Sequence, residues 1–137
     1  FNFPLNLVAH KIAPALGTGN SVVLKPTPEA PYTAYLLAKA FISSKYAIKD
    51  ALSVVYGDAE VGSALVKHPD IAKISFTGSV PVGNIIIREA GIKKVTLELG
   101  GNAATYIDKS ANISQAATRC AFGPFVNSGQ VCISLQR

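Results

Sequence analysis

Cys132 closes the run Asn127-Ser128-Gly129-Gln130-Val131-Cys132, a polar, glycine-containing approach that leaves a sulfur reachable and its backbone N–H free to face a substrate oxygen. A thiolate is a nucleophile, so the chemistry to expect there is attack on an electrophilic carbon. The competing reading is structural, because a free cysteine is ordinarily a small buried hydrophobe. Cys120 fits that description, lying mid-helix near Ala116, Ala117 and Phe122. Glu98 interrupts the apolar strand Val95-Thr96-Leu97-Glu98-Leu99 immediately before Gly100-Gly101. A carboxylate among apolar neighbours is costly to bury unless paired, and such a position suits a general base; a structural ion pair with a lysine is the alternative.

Two further places suit an anionic ligand. Phe76-Thr77-Gly78-Ser79-Val80-Pro81-Val82-Gly83 follows a strand and opens a helix, with Pro81 placed for the first turn. N–H groups at such a start, uncrowded at Gly78, can hold a phosphate, though a plain strand-to-helix turn has the same residues. Lys25-Pro26 ends the first strand, at the carboxyl edge where open α/β sheets place ligands. A solvated strand-end lysine is the bland alternative. His10 and His68 show no partner pattern with Cys or Asp, and metal binding has no support.

The elements that must position these residues alternate. Strands are expected at Ser21 to Leu24, Ser53 to Tyr56, Ile71 to Phe76, Lys94 to Leu99 and Ala104 to Ile107, most of them continuously hydrophobic as if covered by helices on both faces. Helices are expected at about Leu5 to Leu16, after Pro4 and before Gly17 or Gly19, and at Tyr32 to Ser44 with Leu36, Leu37, Ala40 and Phe41 on one stripe. Shorter ones follow at Ala59 to Lys67, Val82 to Ala90 and Ile113 to Phe122. The alternation predicts a Rossmann-like α/β fold with a parallel sheet and flanking helices. Gly100-Gly101 permits a sharp redirection of the backbone, so residues 1 to 99 form one unit, of dinucleotide-binding type, and residues 100 to 137 begin another.

Composition narrows the function classes. The chain has the size of one ordinary domain, it contains no Met, and it opens on Phe1, so a native start upstream is expected. Only 15% of residues are charged, low for a soluble domain, as expected if apolar surface normally faces further chain. No apolar run is long enough to cross a bilayer and no signal-like start is present. Two cysteines without a secretory signal favour free thiols and a cytoplasmic location. The net charge of +5 is spread along the chain without aromatic interleaving, which argues for a solvated basic surface rather than a nucleic-acid site.

Taken in order, the motifs resemble the aldehyde dehydrogenase superfamily across almost the whole chain. Asn2-Phe3-Pro4-Leu5 resembles the tail of that family's Pro-aromatic-Asn-Phe-Pro motif, Val23-Leu24-Lys25-Pro26 its cofactor strand, and Phe76-Thr77-Gly78-Ser79 through Gly83 its pyrophosphate turn. Leu97-Glu98-Leu99-Gly100-Gly101-Asn102 resembles the general-base motif, and Asn127 to Cys132, continued to Arg137, the nucleophile motif. The resemblance implies NAD- or NADP-dependent oxidation of an aldehyde, with Cys132 attacking its carbon. Asn2 and the Cys132 N–H would hold the oxyanion, and Glu98 would activate water against the resulting thioester. It assigns cofactor contacts to Lys25, Pro26, Gly78, Ser79, Gly83 and Leu99, makes residues 100 to 137 the start of the catalytic domain, and implies a homo-oligomer in the full-length protein.

The sequence departs from that pattern in places. Many NAD-preferring members carry Glu three residues after the lysine; here Pro28 stands there and Glu29 comes one later, which leaves both NAD and NADP open. Val80-Pro81 replaces a frequent Thr-Glu. The family's second acidic cofactor contact, substrate funnel and oligomerisation strand would lie beyond Arg137, so activity of these residues alone is not expected. Two other readings stay open: a non-catalytic nucleotide-binding or structural chain, and an acylating member that passes the thioester to coenzyme A.

Overall fold

Short β-rich runs, each too brief to stand alone, are paired in parallel and roofed by helices. The computed structural model describes all 137 residues. In chain order the elements are α1 (Asn6–Gly17), β1 (Val22–Leu24), α2 (Pro31–Ile42), β2 (Leu52–Val54), α3 (Ala59–Lys67), β3 (Lys73–Thr77), α4 (Val80–Glu89), β4 (Lys94–Glu98) and α5 (Ile113–Phe122). A 3-10 segment, Gly123–Gly129, follows α5. No helix is long and apolar enough to cross a membrane.

The parallel pairing expected of the α/β alternation is present as two two-stranded units. In one, Val22, Val23 and Leu24 of β1 lie opposite Leu52, Ser53 and Val54 of β2. In the other, Lys73 to Thr77 of β3 run beside Lys94 to Glu98 of β4, with Ser75 opposite Thr96 and Thr77 opposite Glu98. Each unit has its own apolar core. Ile12, Leu24, Ala34, Ala38 and Leu52 are buried together in the first, with Val8, Leu37 and Phe41 against them. Val66, Ile86 and Ala90 form the second, with Ile74, Phe76, Val95 and Leu97.

Three expectations are corrected. Along α2 the inward stripe is Ala34, Leu37, Ala38 and Phe41, a set spaced three and four residues apart, whereas Leu36 and Ala40 face outward. Small residues at 34 and 38 let the helix sit close on its strands. The strands of the second unit alternate rather than being covered on both faces: Val95 and Leu97 point into the core while Lys94, Thr96 and Glu98 are exposed. Finally, no strand forms over Ala104 to Ile107. That stretch has only a parallel bridge between Ala103 and Leu135, with the Thr105 N–H bonded to the Arg137 carbonyl at 2.6 Å, and Tyr106 and Ile107 stay exposed. A strand needs a neighbour for its N–H and C=O groups, and here the neighbour is the last three residues instead of a sheet.

α1 serves both units. Val8 and Ile12 pack into the first core, while the Lys11 ammonium donates to Ser75 Oγ of β3 at 3.1 Å. α3 and α4 are joined by Glu89, which accepts from Ser63 Oγ at 2.9 Å and pairs with Lys67 at 3.1 Å. Lys93 caps the end of α3, donating to the Val66 carbonyl at 2.5 Å and to the His68 carbonyl at 2.7 Å.

Candidate functional site

Chain turns at the carboxyl ends of the strands gather most of the candidate residues, and glycines allow the approach. β4 leaves its unit at Glu98, whose backbone carbonyl accepts from the Gly78 N–H at 3.0 Å, so the two turns after β3 and β4 are tied together. Leu99 lies over Gly83 in the first turn of α4. A Cβ on Gly83 would come within 2.7 and 2.8 Å of the two Leu99 methyls, so only glycine leaves that surface low. Gly101, two residues on, backs directly on the peptide of Cys132: a Cβ there would lie 3.3 Å from the Cys132 carbonyl carbon and closer still to its oxygen.

Cys132 sits in a turn closed by the Ser134 N–H to the Val131 carbonyl at 3.1 Å. Both cysteines are unpaired and half-buried. The Cys132 N–H donates to no group of the protein. Before it, Asn127, Ser128 and Gly129 take left-handed conformations with φ of 51°, 59° and 77°, which coil the approach tightly. Asn2 reaches this coil from the other end of the chain. Its side-chain Nδ2 donates to the Gln130 carbonyl at 2.6 Å, and Asn127 Nδ2 donates to the Asn2 carbonyl at 3.1 Å. Residues 2, 101 and 127 to 132 therefore meet in one place.

The Glu98 carboxylate is exposed, so the burial argument for it does not hold. Its neighbourhood is polar: it lies opposite Thr77 on the face that Lys11 reaches. Lys11 is held below the usual lysine range, chiefly by burial and against the opposing pull of the Glu98 charge. Lys11 stood in the sequence only as one of thirteen basic residues. The signal that could find it is local: it sits on α1 directly before the buried Ile12, on a helix that Val8 and Ile12 seat in the core.

The residues expected to contact a cofactor fall in two groups. Lys25, half-buried, spans the ends of β1 and β2 by donating to the carbonyls of Pro26 and Gly57, both at 3.0 Å, with its stem against Gly62 in α3. An ammonium has three donors, so one remains for a ligand. Pro26 is buried, where it shapes the turn. Gly78, Ser79, Gly83 and Leu99 make the second group. Ser79 caps α4 by backbone alone, its side chain making no capping bond, and the N–H groups of the first turn have no partner within the helix. Next to them Thr77 Oγ1 is buried with no hydrogen-bond partner. A low glycine surface, free helix-start donors and an orphaned hydroxyl fit a phosphate-bearing planar cofactor. Glu29, after Pro28, bonds to Thr27 Oγ1, and this contact holds its carboxyl below the usual range.

Known proteins share the sequence and the fold. A profile of the aldehyde dehydrogenase family matches residues 1–137. The lactaldehyde dehydrogenase of Methanococcus aeolicus is 50% identical over 141 aligned residues, which take in 100% of this chain and 30% of that protein. The 3-sulfolactaldehyde dehydrogenase of Priestia aryabhattai is 47% identical over 138, or 100% of this chain and 29% of that one. Among solved structures, a Cys-to-Ala variant of aldehyde dehydrogenase C from Pseudomonas syringae, in complex with NAD+ and octanal, superposes with a TM-score of 0.92 at 34% identity, covering 98% of this chain and 28% of that one. The chain thus spans about 30% of the length of the relatives it matches.

Proposed function

Because this chain belongs to the aldehyde dehydrogenase family, we propose that the full-length protein oxidises an aldehyde to a carboxylic acid with NAD or NADP, through a thioester on Cys132. Residues 1–99 are the part that holds the cofactor and residues 100–137 the start of the catalytic part. The observation that carries this reading is the meeting of Asn2 with the Asn127–Cys132 coil, beside an unused Cys132 N–H.

The Cys132 thiolate adds to the aldehyde carbon, and the C=O pair moves onto oxygen. Asn2 has one amide N–H committed to Gln130 and a second to offer; with the Cys132 N–H it makes a two-donor hole for that oxyanion. NAD or NADP bound there would supply the hydride acceptor, which would leave the carbon bonded to Cys132 as a thioester. Glu98 then takes a proton from water, the oxygen of that water attacks the thioester, and Cys132 leaves as thiolate with the acid as product. Exposure of Glu98 on the open face of β4 gives water a route to it. Lys25 would hold the ribose end of the cofactor, and Gly78, Ser79, Gly83 and Leu99 its pyrophosphate and the adjoining sugar.

The test is Cys132→Ser in the full-length protein. It is expected to abolish aldehyde oxidation, and mass spectrometry after incubation with aldehyde and cofactor is expected to find an acyl adduct at Cys132 in the parent enzyme and none in the variant. Turnover retained in the variant ends the proposal. Glu98→Gln separates hydrolysis from transfer to coenzyme A, since only hydrolysis is lost.

A further inference from the structure

Building on that oxyanion reading, we propose that Asn127 is the positioning residue that aims the Asn2 amide at the substrate oxygen. Asn2 lies just ahead of α1, outside the helix's own hydrogen bonds, so α1 alone does not fix its orientation. Its fixation comes from a ring of three bonds. Asn127 Nδ2 grips the Asn2 carbonyl at 3.1 Å, the Asn2 amide reaches the Gln130 carbonyl at 2.6 Å, and the Gln130 N–H returns to the Asn127 carbonyl at 3.1 Å. The ring has two consequences for Asn2. Its backbone is pinned to the nucleophile's own approach, so amide and sulfur move together. Its amide is also oriented nitrogen-first, because only the NH2 end can satisfy a carbonyl.

Asn127 itself suits the task on two counts. It stands at φ 51°, ψ 41°, a conformation that Asn tolerates better than most residues, and it carries the donor. A merely structural role would rest on the first property alone. Asn127→Gly separates them, since glycine keeps the left-handed backbone and removes the donor. Asn127→Asp does so again with the shape retained.

The experiment compares the full-length enzyme with Asn2→Ala, Asn127→Gly, Asn127→Asp and the Asn2→Ala/Asn127→Gly double variant, reading kcat, cofactor KM and the rate of Cys132 alkylation by iodoacetamide. Asn2→Ala is expected to lower kcat on the order of 100- to 1000-fold, as loss of an oxyanion donor does. Both Asn127 variants are expected to lower kcat on the order of 10- to 100-fold, the scale of an ångström's misplacement, with cofactor KM and Cys132 alkylation unchanged. The double variant should be no slower than Asn2→Ala, because Asn127 acts through Asn2. Parental kcat in the Asn127 variants, losses that multiply in the double variant, or altered alkylation showing a collapsed coil would each overturn the proposal while leaving the oxyanion reading intact. Parental kcat in Asn2→Ala would remove that reading and the proposal with it.

Discussion

Gly101→Ala adds one carbon, and that carbon has nowhere to go. It would lie 3.3 Å from the carbonyl carbon of Cys132 and deeper inside the contact distance of the carbonyl oxygen. Both opposing atoms belong to a peptide, which cannot swing aside as a side chain can. Either Gly101 or the Cys132 turn must therefore retreat, by about 1 Å if ordinary contact distances are to be restored. Gly101 is needed for space and not for dihedral freedom, since it is absent from the positive-φ residues. Overpacking of this kind costs about 1–3 kcal/mol of stability. On the proposed thioester mechanism the cost in rate is of similar size: displacing Cys132 by about an ångström from its proposed oxyanion donors and base is worth roughly 100-fold in kcat, about 2.7 kcal/mol.

Aldehyde oxidation measured under saturating cofactor, with the thermal midpoint recorded in parallel, distinguishes these effects. Gly17→Ala is the matched control, because a Cβ there would meet nothing within 4 Å. Gly83→Ala is an intermediate case: the atoms nearest its new carbon all belong to the Leu99 side chain, which can rotate, so a smaller loss is expected. A Gly101→Ala enzyme with the kcat of the Gly17→Ala control would refute the argument that Gly101 sets the position of Cys132.

The other perturbations act on the supports. Lys93→Ala leaves the Val66 and His68 carbonyls without their charged donor and should cost about 1–2 kcal/mol in chemical denaturation, with cofactor KM unchanged. Glu89 is held below its ordinary 4.5 chiefly by the bond from Lys67, then by Ser63, so the stability it adds is complete above the normal carboxylate range and is lost as pH falls through the lowered value. The gap in thermal midpoint between the parent and Glu89→Gln should accordingly shrink on acidification below about 4.5. For Lys11, burial outweighs the attraction of Glu98, and its lowered pKa means that it contributes stability only as pH rises toward 10.5. Lys11→Met should therefore leave the midpoint at neutral pH unchanged or higher, and a clearly lower midpoint there would contradict the placement.

What could be read from the chain and what could not divides along a physical line. Residues 59 to 67 and 113 to 122 form helices at the expected bounds because periodicity and the caps at Asp58 and Asn112 are local properties. Ala104 to Ile107 has the composition of a strand, but composition does not supply a partner, and the stretch finds only Leu135 to Arg137. Glu98 was expected to be buried because its sequence neighbours are apolar. Strand alternation puts Val95 and Leu97 on the core side and turns Glu98 the other way, which sequence adjacency conceals. The same limit hides the site's assembly. Cys132 announces its chemistry by residue type and Asn2 only through the family resemblance, yet nothing near either one specifies that the Asn2 amide meets Gln130, 128 positions away. α1, seated by Val8 and Ile12 in one core and by Lys11 on β3 of the other unit, brings Asn2 within reach of that contact, and the bonds among Asn2, Asn127 and Gln130 fix the amide, so the residues that carry it there are mostly ones with no chemistry of their own.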